Sequence, residues 1–219
     1  MMRRRRVVQE SAAIVEQAIN YACQALADRR VEHEPPFTDR MLAAIERELD
    51  GRRLRGIVWH AKTLTSQGQG SQEKRFGADF VGVLSVDLPE SQVRKGFLAQ
   101  AKRIEEDAAL TTAEFARLKE QCEEMLNTTP ASFVFLYAET GVRVVPALSI
   151  VAVPAGGRFS PDELYSRSAS SFFEAHFECF VGDRAIATVG DSMMDLPAIM
   201  DRVRAERAIE LSVAEEALG

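Results

Sequence analysis

The sequence is poor in the residues that build soft-metal or disulfide chemistry: three cysteines and three histidines in 219 residues. Cys23, Cys122 and Cys179 lie far apart, are odd in number and form no Cys-x-x-Cys pair. That excludes a disulfide framework and a zinc site, and describes reduced, partly buried thiols of a cytoplasmic protein. His33, His60 and His176 are isolated and read as surface or packing residues. No apolar run approaches the roughly 20 residues of a membrane-spanning helix. Arg3, Arg4, Arg5 and Arg6 are followed by an amphipathic segment rather than the apolar stretch of a signal peptide. The glycines at 68 and 70 lack the Gly-Lys-Ser/Thr ending of a phosphate-binding loop, and Gly190-Asp191-Ser192 lacks the flanks of a nucleophile elbow.

Charge is present in quantity but divided. The net charge is −6, yet residues 1–103 carry 18 Lys and Arg against 13 Asp and Glu, while residues 104–219 sum to −11. A basic half joined to an acidic half predicts one face for phosphates and another for solvent or a protein partner. Arg52, Arg53, Arg55, Lys74, Arg75, Arg94, Lys95 and Arg103 form the pool for phosphate contacts.

Apolar spacing predicts a helix over 7–28, a break at Pro35-Pro36, and a second helix capped by Thr38 and ending near Gly51. Residues 54–60 read as a strand, followed by a glycine-rich polar loop. Residues 79–88 and 95–102 then read as an antiparallel hairpin. A helix over 112–126, strands over 131–137 and 142–153, a helix over 161–176 and a last helix over 195–216 complete the chain. The fold class is α/β (α+β): one domain with a mixed central sheet flanked by helices. Residues 1–36 form an N-terminal helix and linker, 37–153 a core and 154–219 a helical extension. Phe172, Phe173, Phe177 and Phe180 are expected in the core.

The hairpin carries the chemistry. Asp79 opens one strand, and Gln100-Ala101-Lys102 ends the other. Alternation puts Gln100 and Lys102 on one face and Ala101 on the opposite face, in the core. The start of one hairpin strand lies beside the end of its partner, so Asp79 sits next to Gln100 and Lys102. Phosphodiester hydrolysis needs a hard cation held by oxygens, an in-line water and positive charge near the reacting phosphate. Asp79, the Gln100 side-chain oxygen and the Ala101 carbonyl could hold Mg²⁺, and Lys102 could orient the water.

At these residues, Glu73-Lys74-Arg75-Phe76-Gly77-Ala78-Asp79 and Lys95-Gly96-Phe97-Leu98-Ala99-Gln100-Ala101-Lys102-Arg103, the chain resembles the PD-(D/E)XK nuclease superfamily. The branch it is most similar to has a second motif reading Gln-x-Lys, as in Mrr-type restriction proteins. The resemblance implies a restriction-endonuclease-like fold and a Mg²⁺-dependent endonuclease, with Mn²⁺ as a possible substitute. It also implies nucleic acid as partner, DNA ahead of RNA, and a place in restriction or anti-phage defence. In one departure, Gln100 stands where an acidic residue is commoner, which removes a negative charge from the metal site.

The family's further glutamate precedes the sheet. Glu34 and Glu73 are the favoured candidates, and Glu46 and Glu48 remain open. A second reading is a nuclease-fold module that binds nucleic acid or a partner without cutting. In either, the acidic C-terminal half could serve a homodimer or a larger defence complex.

Overall fold

The computed structural model describes residues 2–28, 30, 33–65, 78–104, 109–154, 163–190 and 192–216. Glu73, Lys74, Arg75 and the glycines at 68 and 70 lie outside them. Helix α1 spans Met2–Ala27 and α2 spans Glu34–Leu49. Strand β1 (Arg53–Leu54) turns into β2 (Ile57–Thr65), and the hairpin is β3 (Phe80–Leu88) with β4 (Ser91–Arg103). Helix α3 (Thr112–Thr128) crosses to β5 (Ser132–Ala138) and β6 (Gly141–Pro146). There follow α4 (Ala147–Val151), β7 (Arg167–Ser168), α5 (Ala169–Phe177), α6 (Arg184–Ala187), β8 (Thr188–Val189), β9 (Ser192–Met193), α7 (Leu196–Val203) and β10 (Arg207–Glu215).

The architecture is α+β, with an eight-stranded mixed sheet in the order β1-β2-β10-β3-β4-β5-β6-β7 and helices packed against it. Among the described residues no helix is long and apolar enough to cross a membrane. Alternation along the strands divides the core into two layers. Phe80, Phe97, Ala99, Ala101 and Phe135 pack with Ile19, Phe37, Ile45, Phe172 and Phe173 from α1, α2 and α5. Val81, Val83, Leu98, Val134 and Leu136 pack with Phe115, Leu118, Ile150 and Ile199 from α3, α4 and α7. Gly82 is required in the first layer, because a Cβ there would lie 2.4 Å from the Phe97 ring.

Four sequence expectations are corrected. First, Pro35 and Pro36 begin α2 rather than interrupt the chain. A first-turn N–H has no helical acceptor, so proline forfeits no bond there. His33 takes the cap position, and the Thr38 hydroxyl, a turn inside, donates to the Glu34 carbonyl at 3.1 Å. Second, residues 142–153 are a short strand that gives way to α4. Third, of the helix expected over 161–176, the observed one begins only at Ala169.

The fourth correction matters most. Residues 195–216 are not one helix, so 154–219 is no helical extension. Helix α7 stops at Arg204, which adopts a left-handed conformation, and the chain then enters the sheet as β10. Strand β10 runs antiparallel to β2 and parallel to β3 and joins them. Ile209, Leu211 and Val213 alternate into the α1/α2 layer, a period-two pattern hidden among helix-favouring Ala, Glu and Leu.

Candidate active site

The hairpin register aligns Phe80 with Ala99, so Asp79, one residue before β3, lies beside Gln100. Its Oδ2 accepts the Ala101 backbone N–H at 2.8 Å. Ala101 is buried in the α1/α2 layer, opposite Leu98, as alternation requires. Gln100 is 3% exposed, so the amide lies within the sheet rather than at an open edge. The Lys102 side chain is 21% exposed, and its Nζ lies 2.9 Å from Glu34 Oε1 and 3.9 Å from Glu114 Oε1.

The corrected start of α2 makes Glu34 its first residue, at the end of the helix that overhangs β4. Its Oε1 also accepts the Arg103 backbone N–H at 3.2 Å. Among the glutamates weighed from the sequence, Glu34 is therefore brought to the site. Glu46 instead accepts the Thr63 hydroxyl, and Glu48 pairs with Arg47 on the surface at 2.9 Å. A cleft of about 840 Å³ opens here, lined by His33, Glu34, Lys102, Arg103, Leu110 and Glu114 among others.

Asp79 is held in a contradictory field. Removal from water pushes its carboxyl up to about 7, and the nearby carboxylates Glu206 and Glu34 add to the rise. The Ala101 N–H and the Arg207 guanidinium pull the other way. Glu114 is held below the ordinary glutamate range, first by the Thr111 hydroxyl and then by the Thr111 backbone N–H. Those bonds close a capping box that starts α3. Burial raises the Tyr137 hydroxyl, whose ring stacks under Phe37 with centroids 4.0 Å apart.

Three residues of this neighbourhood escape a reading of the sequence. Arg207, at the start of β10, is buried and pairs with Asp39 of α2 and with Glu206. A helix over 195–216 would hide Glu206 and Arg207, because only the strand places them beside β3. Asp39 carries no signal without them. Glu114 does carry one: Thr111-Thr112-Ala113-Glu114 is a capping-box spacing that fixes where α3 begins.

Among the described residues, the basic pool does not form one phosphate face. Arg55 pairs with Glu10 at 2.5 Å, Arg53 with Glu216 at 3.3 Å, and Arg94 with Glu210 at 2.7 Å. Lys95 donates to the Cys179 carbonyl at 2.5 Å inside the fold. Arg103 lines the cleft beside Lys102. Phe172, Phe173 and Phe177 are core residues, but Phe180 is 81% exposed.

Comparison with protein-family models, curated proteins and solved structures finds no match to this chain. The chemistry of the site therefore rests on its own residues. Among the described residues no three His, Cys, Asp or Glu side chains form a metal-holding group. A hard cation here would rest on carboxylates from two different elements, Asp79 and Glu34, together with the Gln100 side-chain oxygen, the Ala101 carbonyl and water. That all-oxygen set with few protein charges suits Mg²⁺, which keeps several waters and needs one or two carboxylates. The buried Tyr137 hydroxyl, with no hydrogen-bond partner among the described residues, is a further polar atom within electrostatic reach of Glu34 and Asp79.

Proposed function

We propose that this protein is a Mg²⁺-dependent endonuclease of restriction-endonuclease-like fold, hydrolysing phosphodiester bonds in nucleic acid, DNA ahead of RNA. The observation that carries the reading is the pairing of Glu34 on α2 with Lys102 on β4 at one cleft, with the buried Asp79 carboxylate held on the Ala101 N–H one residue before Lys102 and within electrostatic reach of Glu34. A bound divalent cation would supply Lewis-acid polarisation of the phosphate and an acidified water. Asp79 and Glu34 are the carboxylates that would hold it, with Mn²⁺ as a substitute. Lys102 Nζ orients the attacking water and places positive charge beside the phosphate oxygens as negative charge builds there. Arg103, at the same cleft wall, is placed to meet a neighbouring phosphate. A role in restriction or phage defence accords with this chemistry, and the acidic C-terminal half offers a surface for a homodimer or complex partner.

One observation favours a second reading, a binding module that no longer cuts. Gln100 replaces a commoner acid and is almost wholly buried. The deciding experiment incubates the full chain with plasmid and single-stranded substrates in Mg²⁺, Mn²⁺ or EDTA, beside Asp79→Ala. Cleavage that needs metal and Asp79 supports the enzyme. Cleavage undiminished by Asp79→Ala places the chemistry elsewhere, and binding without cleavage under any metal supports the module.

A further inference from the structure

Arg207 is a buried charge that the chemistry above does not use. Its side chain is 9% exposed. Nε bonds Asp39 Oδ1, Nη2 lies 3.4 Å from Asp39 Oδ2, and Nη1 lies 2.9 Å from Glu206 Oε2. In the parallel ladder Arg207 faces Phe80, and the Glu206 N–H donates to the Ala78 carbonyl at 3.3 Å. The start of β10 is thus fastened to the chain on both sides of Asp79. From that fastening the guanidinium fork reaches across to α2, five residues after Glu34.

An ion pair whose guanidinium is buried while its carboxylates stay part-exposed is a poor source of stability, because desolvation of the buried charge offsets an attraction that solvent screens. What a planar, two-pronged guanidinium does supply is fixed geometry. Glu34 needs such a constraint. It is the first residue of α2, and the cap residue His33 makes no side-chain bond to the helix end. The position of its carboxylate over the Arg103 N–H therefore depends on how α2 is seated.

We propose that Arg207 is a positioning residue, which through Asp39 seats α2 on β10 and thereby sets Glu34 against Asp79. The link to metal rests on the nuclease reading; the seating of α2 does not. A guanidinium that merely neutralised Asp79 could be replaced by lysine, whereas a fork that sets geometry could not.

The test uses the full chain with Arg207→Lys, which keeps the charge and loses the fork. It adds Asp39→Asn, a milder change at a half-exposed side chain, which loses the charge but keeps an oxygen to accept from Arg207 Nε. Two quantities are measured: amide hydrogen exchange at Arg103, whose N–H is held by Glu34, and calorimetric binding of Mg²⁺ alone. Both variants are expected to speed exchange at Arg103 at least tenfold and to weaken Mg²⁺ binding at least fivefold. Exchange at Leu84 and Val134, in the core of the sheet, should not change. An unchanged Arg103 amide in folded Asp39→Asn overturns the proposal. So does acceleration spread equally over the core amides, which marks a purely structural role. If the wild type neither binds Mg²⁺ nor cleaves, the nuclease reading falls, and Arg103 exchange still decides whether Arg207 seats the helix.

Discussion

Two lysines on the same strand have opposite fates. Lys95 and Lys102 are seven residues apart on β4, an odd separation that sends them to opposite faces of the sheet. Lys95 is 7% exposed and gives its ammonium to the Cys179 carbonyl; burial holds it below the ordinary lysine range. It closes the bend after α5, where Cys179 adopts a left-handed conformation. Lys102 faces two carboxylates at the mouth of a cleft. A charge tied to a main-chain carbonyl in the interior has a structural explanation. A charge set among carboxylates beside open space is where the proposed chemistry would need one. Residue type alone does not separate them; the surroundings do.

The largest effect should come from breaking that comparison directly. Lys102→Ala is expected to lower cleavage about 10²–10⁴-fold, the usual cost of losing the group that handles the water, with nucleic-acid binding retained. Lys95→Ala should leave the rate per folded molecule unchanged. It should cost on the order of 1–3 kcal/mol of stability through the orphaned carbonyl. Cleavage time courses and denaturant melts on both variants make the check. Equal loss of rate in the two erases the distinction.

His176 sharpens the Lys95 end. It is wholly buried among Phe97, Phe172 and Phe173, its Nδ1 donates to the Val181 carbonyl at 3.0 Å, and Nε2 has no partner among the described residues. Burial depresses it to about 4, with Lys95 adding to the effect. Because the folded value lies below the unfolded one, the neutral ring's contribution is present above pH ~6.5. It is lost as pH falls towards about 4, by up to about 3 kcal/mol. Chemical denaturation between pH 7 and 4 should show this slope, and it should flatten in His176→Phe.

Asp79 shows the opposite sign at the Lys102 end. A carboxyl raised to about 7 is stabilising while protonated, fully so below its unfolded value near 4. That stability is lost as pH rises through 7. Asp79→Asn keeps an oxygen to accept the Ala101 N–H but cannot ionise. The variant should therefore be more stable than the metal-free wild type at pH 8 by on the order of 2 kcal/mol, while being inactive. A variant less stable at pH 8 would show that the carboxylate is not under strain in the folded chain.

The hairpin β3–β4, the common face of Gln100 and Lys102 and the proximity of Asp79 are legible in the sequence, because they follow from period-two alternation and a short turn. Those are local rules, and local rules need no partner. The start of α2 is not legible in the same way: a proline pair signals a stop, yet proline is equally at home in a first turn. Strand β10 is hidden more deeply, because its residues favour helix on their own. The slot between β2 and β3 decides their conformation, and nothing within residues 207–215 announces that slot. This has a functional consequence, since Arg207 and Glu206 reach Asp79 only through long-range pairing.

The smallest expected effect tests whether Gln100 belongs with the site or with the core. Extending the hairpin register one residue places it beside Asp79, yet it is as buried as the apolar residues around it. Gln100→Glu adds a carboxylate where Asp79 already meets repulsion from Glu206 and Glu34. Without metal, the added charge should lower stability at pH 8, because two nearby buried carboxylates cannot both ionise cheaply. With Mg²⁺ present the same charge becomes a ligand. Affinity for Mg²⁺ should then rise about tenfold, or roughly 1.4 kcal/mol, and melting should recover as the metal is titrated in. Calorimetry with Mg²⁺ alone, run beside melts with and without metal, reads both arms. A variant that is destabilised and gains no affinity puts Gln100 in the core, and leaves Asp79 and Glu34 as the side chains to hold the ion.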